Sequence, residues 1–319
     1  MEIILDNRNG TLWDLSDLFE SVKWRTVRRG KPGTVEITMI KPSNYKIGMI
    51  NRGDVLRIKV DGVNMFYGYV FILKSSEDDT LRITAYDQIR YLLNEDTYVF
   101  TKVTAAQMIR KIAQDFKLKI GEIADTGHII PKHLEDGKPL LDIIEKGLDK
   151  TVIANGQIFN LFDDFGSLTL RNAKTMMLDL LIGDESLMFG YDHEASIDSD
   201  TYNQIKIVQD NKKKGNRSVF MARDSSNISK WGVLQLFQEA DEDATEAQIK
   251  ETLNQLIKLK NREKQTLKIK ALGSLSVRAG CYVQVKIGDL AINQLFLIEE
   301  CEHHFDGAAH EMTIDLKVI

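Results

Sequence analysis

The sequence predicts an α+β chain that is mainly β, with two β-barrel domains separated by an α/β insert domain. Three observations lead there. Residues 1–97 and the stretch from about residue 191 both alternate apolar and polar residues with the period of a strand. Between them, from Thr104, the apolar period lengthens to that of a helix. A phrase from the first β region also returns in the second.

The first region, 1–97, holds strand candidates GTVEITMI (33–40), GDVLRIKV (53–60), MFYGYVFIL (65–73) and TLRITAY (80–86). Turn signals separate them: KPG at 31–33, KPSN at 41–44, DG at 61–62 and SSEDD at 75–79. In TLRITAY, Leu81, Ile83 and Ala85 share one face, so that strand buries one side. MFYGYVFIL is apolar on both faces, which suits a central strand or one facing another subunit. YDQIRYLL then fits a short helix capped by Asp87, with Ile89, Leu92 and Leu93 placed to plug the open end of the first barrel.

The insert, 98–190, begins with TAAQMIRKIAQDF, whose Ala105, Met108, Ile109, Ile112, Ala113 and Phe116 form one stripe behind Thr104 as N-cap. A second helix starts at KPLLDIIEKGLDK (138–150), where Pro139 costs no hydrogen bond in the first turn. GQIFNLFDDFGSLTLRN (156–172) reads as a hairpin. The last region, 191–319, opens with TYNQIKIVQD and NRSVFMARD flanking a basic tip. A helix follows at about 245–264, with Thr245 and Gln248 as a capping box and Ile249, Leu253, Leu256 and Ile257 as its apolar face. The chain closes with QTLKIKAL, YVQVKI, QLFLIEECE and HEMTIDLKVI.

The repeat aligns NRGDVLRIKVDG (51–62) with RAGCYVQVKIGD (278–289) without a gap. Gly53 meets Gly280 and Lys59 meets Lys286, while Leu56, Ile58 and Val60 meet Val283, Val285 and Ile287. A bulky strand, a turn and an alternating strand follow in both places, which predicts a duplicated β domain.

Bulk composition narrows the function. The 319 residues carry a net charge of −5, against a nucleic-acid surface, which needs clustered Lys and Arg. The only basic run, Lys212, Lys213 and Lys214, suits a solvated hairpin tip. Two cysteines, Cys281 and Cys301, fit a reducing cytoplasm. MEIILDNRNG is no signal peptide, and no window holds 18 uninterrupted apolar residues, so no membrane span is expected.

No catalytic, cofactor or metal constellation emerges. CEHHFDGAAHEM groups Cys301, His303, His304 and His310, but period 2 splits the cluster between two faces and no zinc spacing is met. Cys301 and His303, two apart in a strand, need not touch, although the DG turn can return His310 across the hairpin. Cys281 has no histidine near it in sequence, and LGSLS, with Gly273 and Ser274, is not a nucleophile elbow. Asp163 and Asp164 read as solvated turn residues, and His128 and His133 lie in an expected loop. EADEDATE (239–246) does not follow a calcium loop and favours the next helix's N-terminus instead.

The stretch INRGDVLRIKV with GYVFILKSSEDDTLRITAYDQIRYLLNEDTYVF resembles the tail hub protein of contractile phages and phage-like particles, the PBSX type. The closing VRAGCYVQVKIGDLAINQLFLIEECEHHFDGAAHEMTIDLKVI is similar to the C-terminal barrel of that family, and TAYDQIRYL is the most specific phrase. The resemblance implies tail-tube-like barrels and a homotrimeric baseplate hub. Its pseudo-hexameric ring would join a sixfold tail tube to a threefold central spike. It further implies the tube, spike and tape measure proteins as partners, a LysM-type tail protein beside them, and DNA only as passing cargo. Assembly would take place in the cytoplasm, and the product would be part of a virion tail or a bacteriocin-like particle. On this reading Phe66, Tyr67, Tyr69, Phe71, Leu295, Phe296 and Leu297 are the expected ring interface. The competing expectation is a peptidoglycan-binding or peptidoglycan-hydrolysing tail component acting through the insert.

Overall fold

The computed structural model describes residues 1–41, 49–77, 79–211 and 216–317. The basic run Lys212–Lys214, the turn residues 42–44 and Asp78 lie outside them. In chain order the first unit contains β1 (Glu2–Asp6), β2 (Leu12–Asp14), β3 (Phe19–Val27), β4 (Thr34–Ile40), β5 (Val55–Val60), β6 (Val63–Ser75) and β7 (Thr80–Tyr86). A 3-10 turn, Gln88–Leu93, leads into the insert: β8 (Glu95–Val103), α1 (Ala105–Asp115), β9 (Ile120–Ile123), β10 (Ile130–Pro139), α2 (Leu140–Asn155), β11 (Phe159–Asp163) and β12 (Leu168–Asn172). The rest comprises β13 (Met177–Gly183), β14 (Met188–Ser196), β15 (Gln204–Asn211), β16 (Asn216–Arg223), α3 (Ser225–Trp231), β17 (Gln235–Glu239), α4 (Glu246–Lys260), β18 (Lys264–Leu272), β19 (Tyr282–Ile287), β20 (Ile292–Asp306) and β21 (Ala309–Lys317).

The mainly β reading holds, but two closed barrels do not form among the described residues. One 13-stranded sheet runs through both β units. A barrel closes when its outer strands pair with each other. Here the outer edge of β3 is taken instead by β20, from Glu300↔Val27 to Asp306↔Ser21.

Within that sheet the duplication is explicit. The first unit is ordered β3-β4-β7-β6-β5-β1, and the second β14-β18-β21-β20-β19-β13. The irregularities match as well. β6 bulges at Phe71 against β7, and β20 bulges at Glu299 against β21. β3 and β14 bulge at Glu20 and Phe189 against β4 and β18. Gly53 N–H donates to Val70 O at 2.7 Å, and Gly280 N–H donates to Ile298 O at 2.8 Å. Both glycines sit at left-handed φ, +91° and +90°, where a Cβ would be strained. The units differ in their last strand: β1 is antiparallel to β5, whereas β13 is parallel to β19. They also differ in the connection after the strand that begins each order. β3 reaches β4 through a short turn, while β14 reaches β18 through a separate three-stranded sheet, β16-β15-β17, with α3 and α4. That small body has its own core of Ile205, Ile207, Ile249, Leu253 and Leu256, so the inserted helix expected in this region is part of a larger insertion.

Local signals explain the elements that the pattern predicts. Thr104 and Thr245 each close a capping box, with Gln107 and Gln248, at the starts of α1 and α4. α2 starts after Pro139 and ends at Gly156 in the left-handed conformation. Helices α1 and α2 build the insert core with β8–β12. The expected boundary at residue 190 falls inside β14, and pairing of the second unit begins at Met177 in β13. Among the described residues no helix is long and apolar enough to cross a membrane.

Candidate functional site

The feature with the most built-in structure is the seam where β3 and β20 join the two units. On its buried face Val22, Trp24 and Thr26 stand opposite Phe305, His303 and Cys301. The Trp24 and His303 rings stack with centroids 5.0 Å apart and planes 19° apart. The Thr26 hydroxyl accepts from Ala279 N–H at 2.9 Å, which ties the seam to the repeated glycine turn. On the other face Arg25 forks onto Glu300 at 2.6 and 2.7 Å. Arg28 meets Glu299 at 2.9 Å, and its backbone N–H donates to Glu299 O at 2.9 Å. Bidentate, partly shielded pairs of this kind fix register more than they add stability.

The Cys/His cluster lies in this seam. Cys301 Sγ and His303 Nε2, two residues apart on one face of β20, do touch, at 3.3 Å. His310 returns across the hairpin, with Nε2 3.0 Å from His303 Nδ1. His303 Nε2 also lies 2.8 Å from Val277 O. A carbonyl only accepts, so Nε2 carries the proton and Nδ1 is left to accept from His310. Both ring nitrogens are thus engaged. No group of three His, Cys, Asp or Glu among the described residues could hold a metal ion. Burial lowers the His303 pKa to about 4 and pushes the Cys301 thiol well up. A protonated thiol beside a neutral imidazole is the reverse of an activated nucleophile.

A second cluster binds the units to the insert. Asp87 caps the 3-10 turn by accepting from Ile89 N–H at 3.0 Å, and accepts from Gly33 N–H at 2.9 Å. The cap is as predicted, but Ile89, Leu92 and Leu93 pack into the insert core rather than plugging the first unit. Asp163 is not a solvated turn residue. It is buried, with Asp87 and the half-buried Arg278 close enough to influence its charge. Desolvation raises both carboxyl pKa values, and each feels the opposing pull of Arg278. Arg278 also covers the Phe162 ring at 4.1 Å and donates to Asp163 O at 3.1 Å. Asp164 stays exposed. His133 is buried in strand β10 beside Ile143 O, at 3.2 Å, rather than in a loop.

The expected interface residues divide by their surroundings. Phe66, Phe296 and Leu297 are sealed inside the protein and offer no surface. Tyr67 and Tyr69 lie under an aromatic cluster with Phe165 and Tyr91, which accounts for the second apolar face of β6. Phe71 is half-buried under Arg90, and Leu295 is 41% exposed. Sequence reading missed β3, which makes the seam with β20, and β14, which holds the matching place in the second unit. Their bulges and mixed polarity interrupt the alternation that marked the other strands.

Comparison with known proteins gives the same picture. The YQBQ-like family model matches residues 22–317. The XkdQ protein of phage-like element PBSX, from Bacillus subtilis strain 168, is 31% identical over 93% of this chain and 91% of its own. Among solved structures, the 43 kDa tail protein of prophage MuSo2 from Shewanella oneidensis superposes with a TM-score of 0.72. It is 17% identical, over 99% of this chain and 98% of that one. A tail protein from Neisseria meningitidis MC58 gives 0.71 at 11% identity, over 99% and 96%. With a seam-linked pair of repeated units, a fold shared with phage tail proteins and a sequence match across nearly its whole length, the chain belongs to the YQBQ-like family.

Proposed function

We propose that this protein is a structural baseplate hub of a contractile phage tail or phage-tail-like particle. Three copies form a pseudo-hexameric ring that joins the sixfold tail tube to the threefold central spike. One observation carries the reading: the chain holds two units of the same strand order, already joined edge to edge as ring neighbours would be. Two like units per chain let a threefold assembly present sixfold-like positions. The shared fold and the PBSX relative support it. The partners are then the tube protein, the spike, the tape measure and a LysM-type tail protein, with DNA as passing cargo. The protein works by shape, and needs no catalytic group or cofactor.

Mass photometry of the purified chain, alone and with tube and spike proteins from the same particle, tests this. The expected result is a species of three chain masses that takes up both partners. A chain that stays monomeric and binds neither overturns the hub.

A further inference from the structure

The seam inside the chain is also a template. Superposing the strand pairings of the two units makes β14 the counterpart of β3, with Val22 on Tyr191, Trp24 on His193, Arg25 on Glu194 and Thr26 on Ala195. By the same pairings β6 is the counterpart of β20, with Phe71 on Glu299, Ile72 on Glu300, Leu73 on Cys301, Lys74 on Glu302 and Ser75 on His303. β20 uses both edges beyond its bulge, one for β21 and one for β3. Beyond its own bulge β6 pairs only with β7, and β14 pairs only with β18, among the described residues. Each molecule therefore has one strand edge of the β20 kind and one of the β3 kind, both without a partner strand among the described residues.

These edges cannot pair within one molecule in the seam arrangement, because the seam already joins the same two units through β3 and β20. We infer that the edge of β6 beyond its bulge pairs, antiparallel, with β14 of a second copy of this chain. The register transfers directly from the seam: Ile72 opposite Ser196, Leu73 opposite Ala195, Lys74 opposite Glu194 and Ser75 opposite His193. This rests on the ring reading above, and specifies the contact between copies that would close the ring.

The side chains support this occupant. Glu302 and Arg25 face each other in the seam, and their counterparts Lys74 and Glu194 again pair opposite charges, with the signs exchanged. Both are exposed in the single chain. The ion pair Arg28–Glu299 becomes the apolar pair Ile197 and Phe71, both half-buried. Ile72 is 50% exposed, Phe189 56% and Tyr191 36%, whereas Val22, the counterpart of Tyr191, is sealed by the seam. A flat strand edge with apolar side chains is a surface that proteins ordinarily cover. The contact is head to tail, since β6 of one copy meets β14 of the next, and such contacts build rings when the rotation closes.

Cysteine pairs test the register in the full chain. Lys74→Cys with Glu194→Cys, and separately Ser75→Cys with His193→Cys, each place two thiols on opposite positions of adjacent copies. Neighbouring antiparallel pairs alternate in spacing, so one of the two is the close kind that a disulfide can span. With diamide as oxidant, at least one double variant is expected to give covalent dimers and trimers, ending at three, while the single variants give no trimer. In parallel, Lys74→Glu puts like charges face to face and is expected to weaken self-association at least ~10-fold, with Lys74→Glu/Glu194→Lys restoring it. A trimer that forms but shows neither crosslinking nor charge rescue overturns this contact and leaves the hub standing. A chain that is monomeric at every concentration up to the millimolar range, alone and with the tube and spike proteins, and takes up neither of them overturns both.

Discussion

The two repeated units have one strand order and one set of bulges, yet their leading strands live in different surroundings. β3 is roofed by β20, and its inward residues Val22, Trp24 and Thr26 are buried. β14 has no strand on its outer edge among the described residues, and Tyr191, His193 and Ala195 at the corresponding positions are exposed. The difference is one of occupancy, not of fold. The same scaffold is complete where the chain supplies its own neighbour and incomplete where it does not. Energetics should follow: a substitution in the seam acts on folding, while its counterpart in β14 acts on assembly alone.

The sharpest way to break that comparison is to truncate the same position twice. Trp24→Ala removes a buried ring stacked on His303 and is expected to destabilise the monomer by ~3–5 kcal/mol. His193→Ala, at the matching position of β14, is expected to change the monomer by less than ~0.5 kcal/mol, as exposed positions usually do. Chemical denaturation of both variants measures this. Equal losses would mean that β14 is covered within the single chain, and the comparison would fail.

A pH experiment separates the seam from its counterpart chemically. His303 is neutral in the folded protein, with a pKa near 4, while the unfolded chain takes up a proton near pH 6.5. The lowered folded value means that stability is full above pH 6.5 and falls as pH drops from there toward 4. The loss attributable to this group is roughly 3 kcal/mol, at about 1.4 kcal/mol per pH unit. His310, whose pKa burial also lowers, adds in the same direction. Asp87 and Asp163, with raised values, act oppositely, since their protonation favours the fold. The position in the first unit that corresponds to His303 is Ser75, which does not titrate. Subtracting the urea-denaturation profile of His303→Gln from that of the wild type isolates the effect. A difference profile that stays flat between pH 6.5 and 4 would reject His303 as a source of the pH dependence.

Much of this architecture was legible in the sequence, for reasons that the structure makes clear. TLRITAY, HEMTIDLK and the two threonine-capped helices announce themselves because period and cap chemistry are local. The aligned phrases at Gly53 and Gly280 survive because both units need the same positive-φ turn. The seam was not legible. It pairs residues 271 or more apart in the chain, as Arg28 and Glu299 are, and no local pattern encodes that partnership. Asp163 shows the same limit: DD in a hairpin reads as solvated until Arg278, distant in sequence, is brought beside it. Ile89 and Leu92 were recognised as buried but assigned to the wrong core, since periodicity reveals that a residue is covered and not by what.

The smallest predicted difference concerns the repeated glycines. Replacing Gly53 by Ala places a Cβ at φ +91° in open space, so only the backbone strain of a left-handed residue is incurred, ~1 kcal/mol. At Gly280 the φ is +90°, but the new Cβ would lie 2.9 Å from the Asn160 side chain. Asn160 is buried and donates to Gly280 O at 2.7 Å, so it cannot withdraw without losing that bond. Gly280→Ala is therefore expected to cost ~1–2 kcal/mol more than Gly53→Ala, the value of a lost buried hydrogen bond. Asn160→Ala combined with Gly280→Ala should bring the strain term at the two glycines back into line. Less than additive loss in that double-mutant cycle would identify the insert, through Asn160, as what distinguishes two otherwise matched turns. Additive losses would instead place the difference in the turns themselves.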